Sequence, residues 1–117
     1  MRKILLVDDT PDCLTPLTRL LKLDGHTVEC ANDGREALGV LQRFTPDTII
    51  LDLMMPIMDG VSFLEAMRKN PQWKDIRVIV YTGYGEGSRA KQLASLGVTD
   101  VLMKASDDVN RLLNLVS

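Results

Sequence analysis

Apolar residues follow two alternating patterns along this chain. Short unbroken runs such as Ile4-Leu5-Leu6-Val7, Ile49-Ile50-Leu51 and Val78-Ile79-Val80 are separated by stretches in which apolar residues recur every three or four positions. An unbroken run predicts a strand covered on both faces, and a three-to-four repeat predicts a helix with one buried stripe. Lys3–Val7 is thus a predicted strand. Cys13, Leu14, Leu17, Leu20 and Leu21 follow at helical spacing, and Gly25 supplies a C-terminal stop. Thr27–Ala31 is a second predicted strand. Asp33-Gly34-Arg35-Glu36 reads as a capping box, with Ala37, Leu38, Leu41 and Phe44 as the apolar stripe of the helix it opens and Pro46 as its stop. Thr48-Ile49-Ile50-Leu51 predicts a third strand, and Asp59-Gly60 a helix start with Phe63, Leu64 and Met67 inward. A fourth strand over 77–81, a short helix over 89–96 ended by Gly97, and a fifth strand within 98–103 follow. Ser106-Asp107-Asp108 is placed to cap a last helix with Val109, Leu112, Leu113 and Val116 on one face. Pro16 interrupts the first helical pattern; either the helix starts near Cys13 and bends there, or proline delays it.

The order is βαβαβαβαβα. Strands covered on both faces and joined by helices predict an α/β fold, a (βα)5 doubly wound five-stranded parallel sheet. For five strands the flavodoxin-like order 2-1-3-4-5 is expected. A length of 117 residues fits a single domain over 1–117. No internal repeat or low-complexity segment divides the chain.

Composition narrows the function. Sixteen acidic against 14 basic residues give a net charge of −2, without the basic excess of a nucleic-acid binder, so direct DNA or RNA binding is not expected. The apolar runs fall far short of the ~18–20 residues that span a bilayer, and no secretory signal pattern opens the chain. A cytoplasmic protein is expected. The cysteines, Cys13 and Cys30, lack C-x-x-C spacing and read as buried reduced thiols. The only histidine, His26, follows Gly25 and reads as a surface turn residue. A zinc site has too few donors here.

Function in a parallel α/β sheet gathers at the carboxyl ends of the strands, where the strand order reverses. The first strand ends in Asp8-Asp9, the third in Asp52, the fourth in Thr82 and the fifth in Lys104. Singly, an aspartate at a strand end is most often a cap or turn residue, a threonine there satisfies backbone, and a lysine is solvated. Together they place three carboxylates in one pocket, opposite an ammonium and a hydroxyl. Packed like charges are costly without a cation, and an oxygen-only donor set selects a hard one, Mg²⁺ above all. Such a set suits phosphoryl transfer, with a carboxylate such as Asp52 able to act as covalent acceptor.

These residues carry a family resemblance: Ile4-Leu5-Leu6-Val7-Asp8-Asp9, then Leu51-Asp52-Leu53-Met54-Met55-Pro56-Ile57-Met58-Asp59-Gly60, then Val80-Tyr81-Thr82-Gly83, and Val101-Leu102-Met103-Lys104. Over its whole length the chain resembles the receiver domain of two-component response regulators, the CheY-like family. The resemblance implies that Asp52 is the phosphoacceptor. It implies that Asp9, Asp52 and the backbone carbonyl of Met54 ligate Mg²⁺, with Asp8 assisting. It implies that Thr82 and Lys104 bind the phosphoryl group, and that Pro56 and Asp59-Gly60 shape the loop after the third strand. The implied phosphodonor is a histidine kinase or a histidine phosphotransfer protein. The implied downstream effector reads the face of the fourth helix, fifth strand and fifth helix (α4-β5-α5), and a homodimer is compatible with that face. The protein is then a signalling switch that assists its own phosphotransfer and dephosphorylation, not an enzyme in the ordinary sense.

Two departures concern how the signal leaves the site. The family's Lys-Pro is Lys104-Ala105 here, and the aromatic three residues before that lysine is Val101. A cis bond to a non-proline costs about 2.5–4 kcal/mol, so a trans Lys104–Ala105 bond is expected. Val101 has no ring to turn inward, so coupling is expected to run through the glycine-rich segment after Thr82. Met54 and Tyr84 offer no carboxylate or amide to orient a water, which predicts slow loss of the phosphoryl group.

Rival readings fit less well. A haloacid-dehalogenase-type phosphatase needs a second aspartate two residues after its nucleophile, where this chain has Met54. An FMN-binding loop would not open on Asp8-Asp9. Gly83-Tyr84-Gly85-Glu86-Gly87 misses the G-x-G-x-x-G spacing and sets Glu86 where a phosphate would lie. A receiver-like scaffold without phosphorylation would not need the intact acidic, Thr and Lys set.

Overall fold

The computed structural model describes residues 2–8, 16–52, 60–82, 90–103 and 109–116. Ten elements alternate along them: β1 (Lys3–Val7), α1 (Pro16–Leu23), β2 (Thr27–Ala31), α2 (Gly34–Leu41), β3 (Thr48–Leu51), α3 (Gly60–Arg68), β4 (Arg77–Thr82), α4 (Ala90–Ser95), β5 (Val98–Met103) and α5 (Val109–Val116). The five strands form one sheet in the order β2-β1-β3-β4-β5, with every pairing parallel. This is the flavodoxin-like doubly wound arrangement expected from the pattern.

The side chains show why the strand sequences lack polar alternation. Leu5 and Val7 of β1, Ile49 and Leu51 of β3, and Val78 and Val80 of β4 face one layer. There they pack with Ala37, Val40 and Leu41 of α2, Phe63, Leu64 and Met67 of α3, and Leu93 of α4. Ile4 and Leu6, Ile50 and Ile79 face the other layer, against Leu21 of α1 and Leu112 and Val116 of α5. Neighbours along a strand point to opposite faces, so a sheet covered on both sides needs apolar residues at consecutive positions. β5 joins with an irregularity. Val78 pairs with Val98 but Ile79 with Asp100, so Thr99 is the extra residue. Its hydroxyl donates to the Val78 carbonyl at 3.3 Å, replacing part of the interrupted ladder.

The helix ends follow local chemistry. At the end of α1, the His26 N–H reaches the Leu21 carbonyl at 3.1 Å and the Gly25 N–H the Lys22 carbonyl at 3.0 Å, with Gly25 at φ +88°. That is a Schellman stop, and its left-handed residue is the expected glycine. Asp33 is the N-cap of α2, its Oδ1 accepting from the Glu36 N–H at 2.8 Å. The helix closes at Leu41, and Phe44 lies beyond it, partly buried against the same core. For Pro16 the described helix begins at that residue; 9–15 lie outside the described residues, as does the cap expected at 106–108.

Two expectations are corrected. His26 is buried, not a surface residue: the stop at Gly25 turns the chain into β2 beside Arg2, and His26 Nδ1 accepts the Arg2 N–H at 3.1 Å. An accepting Nδ1 leaves the neutral ring its proton on Nε2. Cys30 is disulfide-bonded rather than a reduced thiol. The other cysteine of the chain, Cys13, lies outside the described residues.

Candidate phosphoryl-transfer site

β1 and β3 are neighbours in the sheet although β2 lies between them in sequence, so the strand order reverses at this pair. α1, which follows β1, packs on one face of the sheet and α3, which follows β3, on the other, and in α/β sheets ligands bind at the carboxyl ends of strands where this change of face occurs. Val7 pairs with Leu51, so the next residues, Asp8 and Asp52, stand side by side on strands ~4.8 Å apart. Backbone bonds hold both positions: the Asp8 N–H donates to the Ala31 carbonyl at 3.0 Å, and the Asp52 N–H to the Val7 carbonyl at 2.9 Å. Asp8 is half-buried. Asp52 is 7% exposed and is the one buried acidic residue among the described residues.

The next strand completes the line. Leu51 pairs with Val80, which puts Thr82 just past Asp52 on β4, and Thr82 pairs with Met103, the residue before Lys104. The backbone therefore brings Asp8, Asp52 and Thr82 to one edge of the sheet on three adjacent strands. Asp9, Met54, Lys104 and the Lys104–Ala105 bond lie outside the described residues. Tyr81 is a neighbour that sequence reasoning did not single out; it is partly buried against the layer of α1 and α5. Its signal was present, since consecutive strand residues face opposite layers and Tyr81 falls between Val80 and Thr82.

A carboxylate buried beside a second one is expensive unless positive charge reaches it. Among the described residues only oxygen donors are at hand, because His26 sits at the amino ends of the strands, where Thr27 pairs with Lys3, and Cys30 is engaged. The donor set fits a hard divalent cation. Among the described residues no three acidic, histidine or cysteine side chains come together. Asp8 and Asp52 would supply the described part of a ligand set whose third expected carboxylate is Asp9.

A cavity of about 530 Å³ lies elsewhere, lined by Leu38, Gln42, Ala66, Lys69, Asn70, Pro71 and Trp73. It is formed by the carboxyl ends of α2 and α3, hence at the amino ends of the strands, and it brings no acidic group to the chemistry above.

The chain shares this arrangement with proteins of known class. It is 38% identical to the response regulator PleD of Caulobacter vibrioides over 108 residues, which cover 92% of this chain and 24% of that protein. It is 34% identical to the regulatory protein AtoC of Escherichia coli over 107 residues, 92% of this chain and 23% of that protein. The chain thus spans about a quarter of the length of these curated relatives. Among solved structures, the Vibrio cholerae chemotaxis protein CheY4 superposes with a TM-score of 0.88 at 33% identity, covering 99% of this chain and 96% of that one. The Mn²⁺-bound form of response regulator Rcp1 gives a TM-score of 0.81 at 29% identity, over 99% and 89%. A family model for the response regulator receiver domain matches residues 4–117. With a buried aspartate at the switch point of a 2-1-3-4-5 sheet and a match over nearly its whole length, the chain belongs to the receiver domains of two-component phosphorelay signalling.

Proposed function

We propose that Asp52 accepts a phosphoryl group from a phosphohistidine, on a histidine kinase or a histidine phosphotransfer protein. A carboxylate oxygen of Asp52 attacks phosphorus in line with the leaving imidazole nitrogen. The P–N bond breaks as the P–O bond forms, and the imidazole takes up a proton. The observation that carries this reading is the burial of Asp52 at the carboxyl end of a central strand beside Asp8. Burial holds the nucleophile at a fixed point, and phosphoryl transfer depends mainly on positioning and charge neutralisation.

A bound Mg²⁺ would neutralise charge on the incoming phosphoryl oxygens. Asp8, Asp9, Asp52 and the Met54 carbonyl are the residues that would hold it, and the Mn²⁺ in the Rcp1 structure supports a divalent site in this fold. Thr82 would donate its hydroxyl, and Lys104 its ammonium, to the phosphoryl oxygens. The downstream effector, or a second copy, would read the face made by α4, β5 and α5. Val101 is open on that face, 41% exposed, with no ring to turn inward, so the change is assigned to the segment after Thr82. Of the two routes, backbone NMR shifts on adding beryllofluoride and Mg²⁺ would be largest after Thr82. Shifts confined to β5 would refute this route.

Mass spectrometry after exposure to acetyl phosphate and Mg²⁺ tests the acceptor. One phosphoryl group should add to the wild type and none to Asp52→Asn, and EDTA should abolish the addition. Undiminished labelling of Asp52→Asn would sink the assignment.

A further inference from the structure

Arg68, the last residue of α3, takes no part in the chemistry above, yet its side chain bridges two other segments. Nε donates to the Leu96 carbonyl at 2.8 Å. Nη1 faces the carbonyls of Trp73, Lys74 and Ile76 at 3.2, 2.7 and 2.9 Å. Nη2 reaches the Gly97 carbonyl at 3.4 Å. Three of these acceptors belong to the connection between α3 and β4, and two to the turn between α4 and β5. Burial lowers the pKa of the guanidinium, and Asp75 partly offsets this. Arginine remains charged at neutral pH all the same.

The turn it grips is the end of α4. Leu96 and Gly97 close that helix with N–H bonds to Leu93 and Ala94 at 3.1 and 3.0 Å, and Gly97 turns at φ +82°. The cation therefore sits at the negative end of the helix dipole, on the Leu96 and Gly97 carbonyls just past its last turn. The helix is six residues long, and of its last three side chains Leu93 is buried while Ala94 and Ser95 are exposed. Both gripped segments lie at the amino ends of β4 and β5, the end of the sheet opposite Asp52 and Thr82.

We infer that Arg68 pins the C-terminal end of α4 to the α3–β4 connection, so that α4 responds to phosphorylation by pivoting about this end. The pin follows from the hydrogen bonds; the pivot rests on the proposed role of Asp52. A helix held at one end and displaced at the other rotates instead of sliding. Lysine cannot replace the pin, because one ammonium cannot span five carbonyls that a planar fork reaches.

Amide exchange and NMR shifts on the full chain test both parts, with wild type, Arg68→Lys and Arg68→Gln. Exchange at Ile76, Leu96 and Gly97 should quicken about tenfold or more in both variants, with Leu5, Leu6 and Ile50 unchanged. Beryllofluoride with Mg²⁺ should shift wild-type amides at 90–92 and spare 96–98; in Arg68→Lys the shifts should extend to 96–98 and 74–76. Unaltered exchange in Arg68→Lys overturns the pin, and because that variant keeps the charge, loss of folding in Arg68→Gln does not remove the test. Wild-type shifts as large at 96–98 as at 90–92 overturn the pivot. No beryllofluoride response at Asp52 overturns the phosphoacceptor reading and the pivot with it, while the pin stands or falls by exchange.

Discussion

Gly25 and Gly97 end α1 and α4 in nearly the same conformation, φ +88° and +82°, but in different surroundings. A Cβ built on Gly25 meets nothing within 4 Å. On Gly97 it meets the Arg68 guanidinium, at 3.1 Å from Nη2 and 3.3 Å from Cζ and Nε. Alanine at either position suffers the left-handed penalty of about 1–2 kcal/mol, partly offset by the ~0.4–1 kcal/mol that a less flexible unfolded chain returns. Gly25→Ala should therefore cost about 1 kcal/mol. Gly97→Ala adds a displacement of the guanidinium. That group ends a flexible side chain, but carbonyls on both sides hold it, so yielding a few tenths of an ångström lengthens bonds to Leu96 and Gly97. Bonds to a charged donor are worth about 1.5–3 kcal/mol, which puts Gly97→Ala near 2–4 kcal/mol in all. Urea unfolding followed by far-UV circular dichroism measures both, with equal m-values as the check that only stability changed. Placing Gly97→Ala in an Arg68→Ala background closes a double-mutant cycle, and there its cost should fall to that of Gly25→Ala. Equal costs for the two glycine variants, or a Gly97→Ala cost untouched by removing Arg68, would refute the steric account.

The remaining predictions concern a cap and the lifetime of the phosphorylated state. Asp33→Ala should lower stability by about 1 kcal/mol in the same urea assay and Asp33→Asn by much less, since the amide oxygen can still accept from the Glu36 N–H. Once phosphorylated, the protein should lose its phosphoryl group slowly, and Met54→Asn with Tyr84→Glu should speed the loss; an unchanged decay, followed by mass spectrometry, would count against the shielding argument.

What could be read from the sequence was what depends on short range. Ile49-Ile50-Leu51 announces a strand because each of its residues is buried, Ile50 against one layer and its neighbours against the other. Asp33 and Gly25 announce helix ends because their partners lie within a few residues. Asp8, Asp52 and Thr82 could be aligned in advance because parallel strands fix which residues follow the last paired ones. Arg68 could not, since its acceptors run from Trp73 to Gly97 and no periodicity records a bond across 29 residues. His26 failed for the same reason: a turn position is ordinarily exposed, and the bond His26 accepts comes from Arg2, 24 residues away. Cys30 failed because its state depends on a bond to another cysteine, which spacing alone does not reveal.

Among the described residues, several of the long-range bonds that sequence could not show share one location. Lys3 N–H to Asp47 Oδ2 at 2.8 Å, Arg2 N–H to His26 Nδ1 at 3.1 Å, and the Arg68 fork all lie at the amino ends of the strands. Arg77, the first residue of β4, adds a bond from its guanidinium to the Leu115 carbonyl at 2.5 Å, which ties the end of α5 to the same edge. The family chemistry is assigned to the opposite edge, where Asp8, Asp52 and Thr82 stand. A switch needs both: a firm end against which a helix can turn, and an end where a phosphoryl group can change the local balance. Substitutions at the two edges should therefore separate by assay. Changes at Asp47, Arg68 or Gly97 should appear first in unfolding and amide exchange, and changes at Asp52 in labelling. An Asp52→Asn variant that lost stability as heavily as Gly97→Ala would show that the acceptor also supports the fold, and would dissolve this division between the two edges.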